Sequence, residues 1–176
     1  VRGVDDTWVQ TPSQAQRLNP GQRAVVPLSI VVPRTPASHA RTYSASIVAQ
    51  SRENPAEEGT APVTITVQPF AQTTLALLPP RARGWTRGDF KIAIENQGNA
   101  PANYTLRGQD DENALGFRLA ATQLTLEPAG SRDIPLGTTS RLRPMGSANV
   151  RSFTVTATTE MTGALEPTKS VAGQYV

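Results

Sequence analysis

Four clusters of residues in this chain have types and spacing that could do chemistry. Asp110-Asp111-Glu112-Asn113 places oxygen-bearing side chains on consecutive residues, the kind of donor a hard cation such as Ca²⁺ takes from a loop. Asp5-Asp6 offers only two. Neither has the glycine-centred Asp-x-Asp-x-Asp-Gly spacing, so the reading adopted is a solvated turn. Asp110 and Glu112 are also a formal acid–base pair, yet adjacent exposed carboxylates lack the differing environments that separate two pKa values. His39, the single histidine, lies in Pro36-Ala37-Ser38-His39-Ala40, with Ser38 and Ser44 near in sequence. Nucleophilic catalysis needs hydroxyl, base and orienting acid to converge, and no G-x-S-x-G elbow is present, so His39 reads as a surface residue. Arg81, Arg83 and Arg87 bracket Trp85. Guanidinium groups beside an indole suit an anionic polymer or phosphate head group, or stack on a sugar. The bland alternative, adopted here, has Trp85 covering the bottom of a sandwich while the arginines cap strand ends or clamp the domain junction. Arg141, Arg143 and Arg151 read as a solvated strand edge, where charge discourages unwanted pairing.

These residues are carried by a framework that occurs twice. Arg2-Gly3-Val4-Asp5-Asp6 returns as Arg107-Gly108-Gln109-Asp110-Asp111. Leu18-Asn19-Pro20-Gly21 then answers to Leu126 to Gly130, and Val26-Pro27-Leu28 to Ile134-Pro135-Leu136. Tyr43 to Ala49 answers to Phe153 to Thr159. Order and spacing hold throughout, so the chain is an internal duplication whose first copy is cut short. Two domains follow, residues 1–68 and 69–176, the first lacking the equivalent of about 70–105. The start at Val1 rather than Met marks a processed or excised piece. The missing strands are then expected upstream in the same polypeptide or from a neighbouring subunit. Gln68-Pro69-Phe70 is too short a junction to act as a flexible linker.

Within the second copy apolar residues alternate. Thr74–Leu78 runs into Pro79-Pro80. Phe90, Ile92 and Ile94 share one strand face, and Asn96–Pro101 is a turn. Tyr104 and Leu106, then Leu115, Phe117 and Leu119, then Leu124 and Leu126, then Ile134 and Leu136 repeat the pattern. Phe153, Val155 and Ala157 form a further strand, and 169–176 the last. About seven short antiparallel strands in such a length predict an immunoglobulin-like β-sandwich. The first copy predicts a long strand over 25–32, another over 43–50, a polar hairpin loop over 51–62 and a strand over 63–67. Trp8 is expected in the core. Asn103-Tyr104-Thr105 matches the glycosylation acceptor pattern but falls in a predicted strand.

The chain has 176 residues, no cysteine and a formal charge of +3, mostly from arginine. The lack of cysteine excludes disulfides and thiolate metal sites. Aromatic content of 5% supplies no basic-aromatic stripe, so a nucleic-acid partner is not expected. No apolar run reaches the roughly 20 residues of a membrane span.

Two stretches carry a resemblance. Trp8-Val9, Leu18 to Gly21, Val32 to Pro36 and Tyr43 to Ser51 form the first. Arg83-Gly84-Trp85-Thr86-Arg87-Gly88-Asp89-Phe90, with Asn96 to Pro101, forms the second. The chain resembles tandem immunoglobulin-like modules of bacterial cell-envelope and secreted proteins, of the α-galactosidase-associated type, whose relatives often carry names no more specific than hypothetical hydrolytic or membrane protein. The resemblance implies an all-β chain of two tandem antiparallel sandwiches, the first incomplete at its N-terminal side. It implies an envelope or extracellular setting and a scaffold role, with no catalytic residue, cofactor or metal. The expected function is a non-enzymatic spacer or assembly module whose partners are proteins, the remainder of a longer polypeptide, or a cell-wall polymer. One alternative is a carbohydrate-binding accessory module of a secreted hydrolase, using Trp85, Tyr104 and Tyr175 as exposed aromatics. Another is a strand-complemented subunit of an extracellular filament or surface layer.

Overall fold

A computed structural model describes residues 1–11, 15–140, 150–163 and 168–176. Apart from one 3-10 turn, the regular elements of the described residues are all β-strands, and their pairings are nearly all antiparallel. It divides into two compact units, one of Val1–Arg34 with Ala40–Gln68, the other of Thr35–His39 with Pro69–Val176.

In the first unit a 3-10 turn, Asp6–Trp8, leads into β1 (Val9–Gln10), which pairs with β2 (Ser29–Ile30). β3 (Thr42–Gln50) and β4 (Glu58–Thr66) form an antiparallel hairpin. Trp8 is buried and meets Tyr43 of β3 edge-on at 5.2 Å, as expected of a core residue. Two expectations change. The predicted strand over 25–32 shortens to Ser29–Ile30, because β1 gives only two rungs and, among the described residues, nothing pairs along the other edge of β2. The predicted loop over 51–62 shortens to 51–57, since β4 begins at Glu58. Pro62 fits inside that strand because it faces Ser46, whose N–H and C=O both bond Arg2 on the far side at 2.9 Å. A position whose partner looks away asks nothing of the missing proline N–H.

The second unit is a two-sheet sandwich. β5 (Thr73–Leu78), β7 (Arg87–Asn96), β11 (Ser131–Ser140) and β9 (Leu115–Leu119) lie side by side in that order. The other sheet runs β10 (Gln123–Leu126), β8 (Ala102–Gln109), β12 (Arg151–Glu160), β13 (Lys169–Tyr175) and β6 (Arg81–Ala82). Pro79-Pro80 has no N–H to continue the β5 ladder, and the chain crosses to the opposite sheet, where β6 pairs in parallel with β13. This pairing is absent from the sequence reading, since two residues carry no alternation. The predicted inward faces are all found. Phe90, Ile92 and Ile94 of β7, Tyr104 and Leu106 of β8, Ile134 and Leu136 of β11, and Phe153, Val155 and Ala157 of β12 form one buried cluster. Fully burying side chains of this size contributes roughly 1.5–3 kcal/mol each. Phe153 meets Phe90 edge-on at 5.0 Å and Phe117 at 5.6 Å.

Strand register matches between the two units at two places. Arg2 bridges Ser46 in the first unit, and Arg107 pairs with Thr156 in the second. Val9 pairs with Ile30, and Phe117 with Thr138. One offset of 108 residues carries both members of the Val9–Ile30 pair onto Phe117–Thr138, whereas Arg2 and Ser46 reach Arg107 and Thr156 by offsets of 105 and 110.

Candidate functional site

The Arg81–Arg87 turn is the candidate. Arg81 is in β6, Arg87 opens β7, and Trp85 sits on the connection between them. Trp85 is 89% exposed, which corrects the expectation that it covers the bottom of a sandwich. The buried aromatic beneath this turn is Tyr175, whose hydroxyl meets the Gly84 carbonyl. Arg81, Arg83 and Arg87 are exposed too, and among the described residues no carboxylate pairs with them.

The turn is held by backbone bonds rather than by its own side chains. Gly84 N–H donates to Val176 C=O at 3.1 Å, Val176 N–H to Ala82 C=O at 3.0 Å, and Ser140 N–H to Thr86 C=O at 3.0 Å. The buried Tyr175 hydroxyl donates to Gly84 C=O at 2.6 Å. Two glycines make this clamp feasible. A Cβ on Gly84 would run into the Arg87 carbonyl, and one on Gly88 would sit 2.7 Å from the Tyr175 ring. The R-G-x-x-R-G spacing therefore brackets the seat of one tyrosine. Burial raises the Tyr175 phenol above its ordinary pKa, because the interior disfavours the phenolate. The result is a displayed indole flanked by guanidiniums on a fixed turn, suited to stacking on a flat ring or to meeting an anion.

The acidic segments turn out to be structural. Asp110 is 5% exposed, which corrects its reading as a solvated carboxylate. Its Oδ2 accepts from Ala114 N–H at 2.7 Å and Leu115 N–H at 3.2 Å, closing the turn into β9. Asp5 does the same work in the first unit, accepting from Thr7 N–H at 2.9 Å and Thr7 Oγ1 at 2.7 Å. The Thr7 hydroxyl and amide hold the Asp5 carboxyl below the usual range. The repeated RG-x-DD motif is thus turn chemistry. Glu112 pairs with Arg151 at 3.4 Å across the shallow cleft that Asp110, Asp111, Val150 and Ser152 complete. Arg151 is consequently a mostly buried ion-pair partner on β12 and not a solvated edge, because β12 lies between β8 and β13. Arg141 and Arg143 lie outside the described residues. Among the described residues, no group of three or more His, Asp or Glu is placed to hold a metal.

His39 is exposed, as expected, but its neighbour Ser38 is buried. The Asn99 amide donates to Ser38 C=O at 2.8 Å, and its Oδ1 accepts from Phe70 N–H at 2.8 Å. Sequence reasoning took Asn99 only as a turn residue. Its amide clamps two distant segments, and composition gives no sign of that. Tyr104 and Tyr175, expected as exposed aromatics beside Trp85, are both buried within the sandwich. Asn103 of the acceptor pattern lies in β8 and accepts from Thr125 Oγ1 at 2.7 Å.

No protein-family model matches this chain, and no curated protein sequence does. Among solved structures it is similar to a FixG-related protein from Vibrio parahaemolyticus, at 13% identity and TM-score 0.46, over 60% of this chain and 94% of that one. The D00-D0 domain of intimin is similar at 13% identity and TM-score 0.42, over 98% of this chain and 82% of that one. SSP-19, an MSP-domain-like protein of Caenorhabditis elegans, is similar at 15% identity and TM-score 0.39, over 57% and 98%. Likeness at this level carries no argument. The strand order itself makes the chain an all-β protein of largely antiparallel sheets, with a two-sheet sandwich in its second unit. Among the described residues no helix is long and apolar enough to cross a membrane.

Proposed function

We propose that this chain is a non-enzymatic structural and interaction module of a larger cell-envelope or extracellular protein, built from two tandem immunoglobulin-like domains, residues 1–68 and 69–176, the first incomplete. One observation carries the reading. The two units share strand register at Arg2–Ser46 and Arg107–Thr156, and at Val9–Ile30 and Phe117–Thr138, while the RG-x-DD motif they share serves to close turns. Duplication of a framework without a repeated site is what a spacer or assembly module requires.

A second reading, a carbohydrate-binding accessory module, is favoured by the exposure of Trp85. It rests on one indole, since Tyr104 and Tyr175 are buried and cannot extend a platform. Retention of the chain in gels containing cell-wall polymers, together with a glycan array, separates the two. The spacer reading expects no retention. Retention abolished by Trp85→Ala, with the melting curve unchanged, would establish the binding module in its place.

A further inference from the structure

From Pro80 to Gly88, alternate residues of the second unit have opposite tasks. Every even-numbered residue is tied to the fold. Pro80 C=O accepts from Gln174 N–H and Ala82 C=O from Val176 N–H, both at 3.0 Å, while Gly84 is held at its N–H by Val176 and at its C=O by Tyr175. Thr86 C=O accepts from Ser140 N–H at 3.0 Å, and Gly88 C=O from Thr138 Oγ1 at 3.2 Å. The odd-numbered residues Arg81, Arg83, Trp85 and Arg87 are all exposed. They form a comb of four large side chains on a backbone that needs no ordering when a ligand arrives.

The chemistry of this comb is one-sided. Guanidinium and indole groups donate hydrogen bonds and accept none. Between them stand Ala82, Gly84 and Thr86, so Thr86 contributes the only side-chain oxygen within the row. A sugar hydroxyl both donates and accepts, and its donor half goes unmet here. The oxygens of a phosphodiester only accept, and guanidinium forks bind them in pairs. Nearby carboxylates leave the row positive. Asp89 lies exposed two residues beyond Arg87. The acidic turn into β9 is at the same end of the sandwich, but Asp110 is committed to the Ala114 and Leu115 amides and Glu112 to Arg151, which leaves Asp111. Arg87 and Gly116 flank Thr139 on opposite sides, about 10 Å apart and so near one Debye length at physiological salt.

We propose that the Arg81–Arg87 turn docks the second unit on the surface of a membrane rich in anionic phospholipid, with the Trp85 indole entering the headgroup layer and the three arginines bonding lipid phosphates. Trp85 is the only exposed aromatic among the described residues, so no second ring extends it into a platform for a polymer. At 89% exposure it also has no neighbouring side chain to wall in a ligand stacked on it. A lipid surface needs neither. An indole settles at headgroup level, and lipids diffuse until their phosphates meet the fixed guanidiniums. Each cation near an anionic leaflet raises partitioning about fivefold, and the indole adds the apolar signal that charge alone does not supply.

The test mixes the full chain with vesicles of phosphatidylglycerol and phosphatidylcholine in equal parts and reads sedimentation and tryptophan emission. Binding is expected to the mixed vesicles and not to phosphatidylcholine alone. Emission should shift to the blue and be quenched by a lipid-borne nitroxide, because Trp8 is already buried and Trp85 is the indole whose surroundings change. Trp85→Ala should weaken binding about tenfold or more, and Arg81→Gln, Arg83→Gln and Arg87→Gln about fivefold each. Arg83→Lys keeps the charge and should keep most of the binding. All four positions are exposed, so melting curves should not move. No binding to the mixed vesicles, or binding that leaves emission unshifted or survives Trp85→Ala, overturns the proposal. Displacement from vesicles by soluble polyphosphate or polygalacturonate, with the same blue shift on the polymer alone, overturns it too by making a polymer the occupant. Failure on vesicles leaves the spacer reading, which is tested in gels, untouched.

Discussion

The first and second units carry the same apolar pattern and bury it to very different extents. Phe153, Val155 and Ala157 of β12 are sealed beneath the opposite sheet. Their counterparts Tyr43, Ala45 and Ile47 on β3 occupy the same face of the same kind of hairpin, yet only Ala45 is buried. Leu126 is buried and Leu18 is exposed. Alternation decides which face of a strand looks inward, while burial requires neighbouring strands to close over that face. The first unit has the former and lacks much of the latter.

Substitutions at matched positions sharpen or break this contrast. Phe153→Ala should cost the second unit about 3–5 kcal/mol, the range for a buried aromatic. Tyr43→Ala should cost the first unit less than about 2 kcal/mol, because its ring is only partly covered. In a Trp85→Phe background, Trp8 fluorescence reports the first unit during urea titration, and the part of the circular dichroism change that does not follow it reports the second. Equal losses would mean the first unit is packed as well as the second.

Gly88→Ala comes next, at about 1–3 kcal/mol, because the new methyl must displace the Tyr175 ring or Thr138 Oγ1. Gly59→Ala in β4 meets no atom closer than 4.0 Å and should stay within about 0.5 kcal/mol in the same titration. Tyr175→Phe removes the bond to Gly84 and should cost about 1 kcal/mol. It should also change the alkaline behaviour. The folded phenol titrates above its unfolded value of about 10, so its contribution is complete below that pH and is lost as pH rises through the folded pKa. Melting temperature should therefore fall above about pH 10 in the parent, and less steeply in Tyr175→Phe. A parallel fall in both would show that Tyr175 is not the group responsible.

The smallest effects belong to exposed ion pairs, one in each unit. Arg2 holds Glu58 through two bonds of 2.9 and 3.0 Å, and Lys91 meets Asp133 at 2.9 Å. Arg2→Ala and Lys91→Ala should each cost about 0.2–1 kcal/mol, shrinking in 1 M salt. Alanine keeps the backbone rung of residue 2 with Ser46, so a loss at Arg2 well beyond that range would mean that its aliphatic stem packs on the unit as well.

Much of the fold was legible because strand alternation is a local property. Every inward residue named on β7, β8, β11 and β12 could be read from its own neighbours in sequence. Long-range pairing could not. The β6–β13 rungs involve two residues on one side, and the extent of β2 depends on a strand that Val25–Val32 cannot report. At the candidate site, the arginines and Trp85 were visible as a cluster, but exposure of the indole was not. The buried aromatic seated under that turn is Tyr175, ninety residues away in sequence. Asp110 was misread for a related reason, since its amide partners lie across a turn whose closure the sequence did not specify.

Pro62 has one more consequence. β4 pairs only with β3 among the described residues, and because Ser46 turns away from it, Pro62 sets its ring nitrogen on the outer rim of the hairpin. That rim offers backbone donors at Thr60 and Thr64 with a gap between them, so a strand approaching there cannot zip past the middle. The outer rim of this hairpin is accordingly interrupted at its midpoint, a built-in stop against edge-to-edge association of two such hairpins.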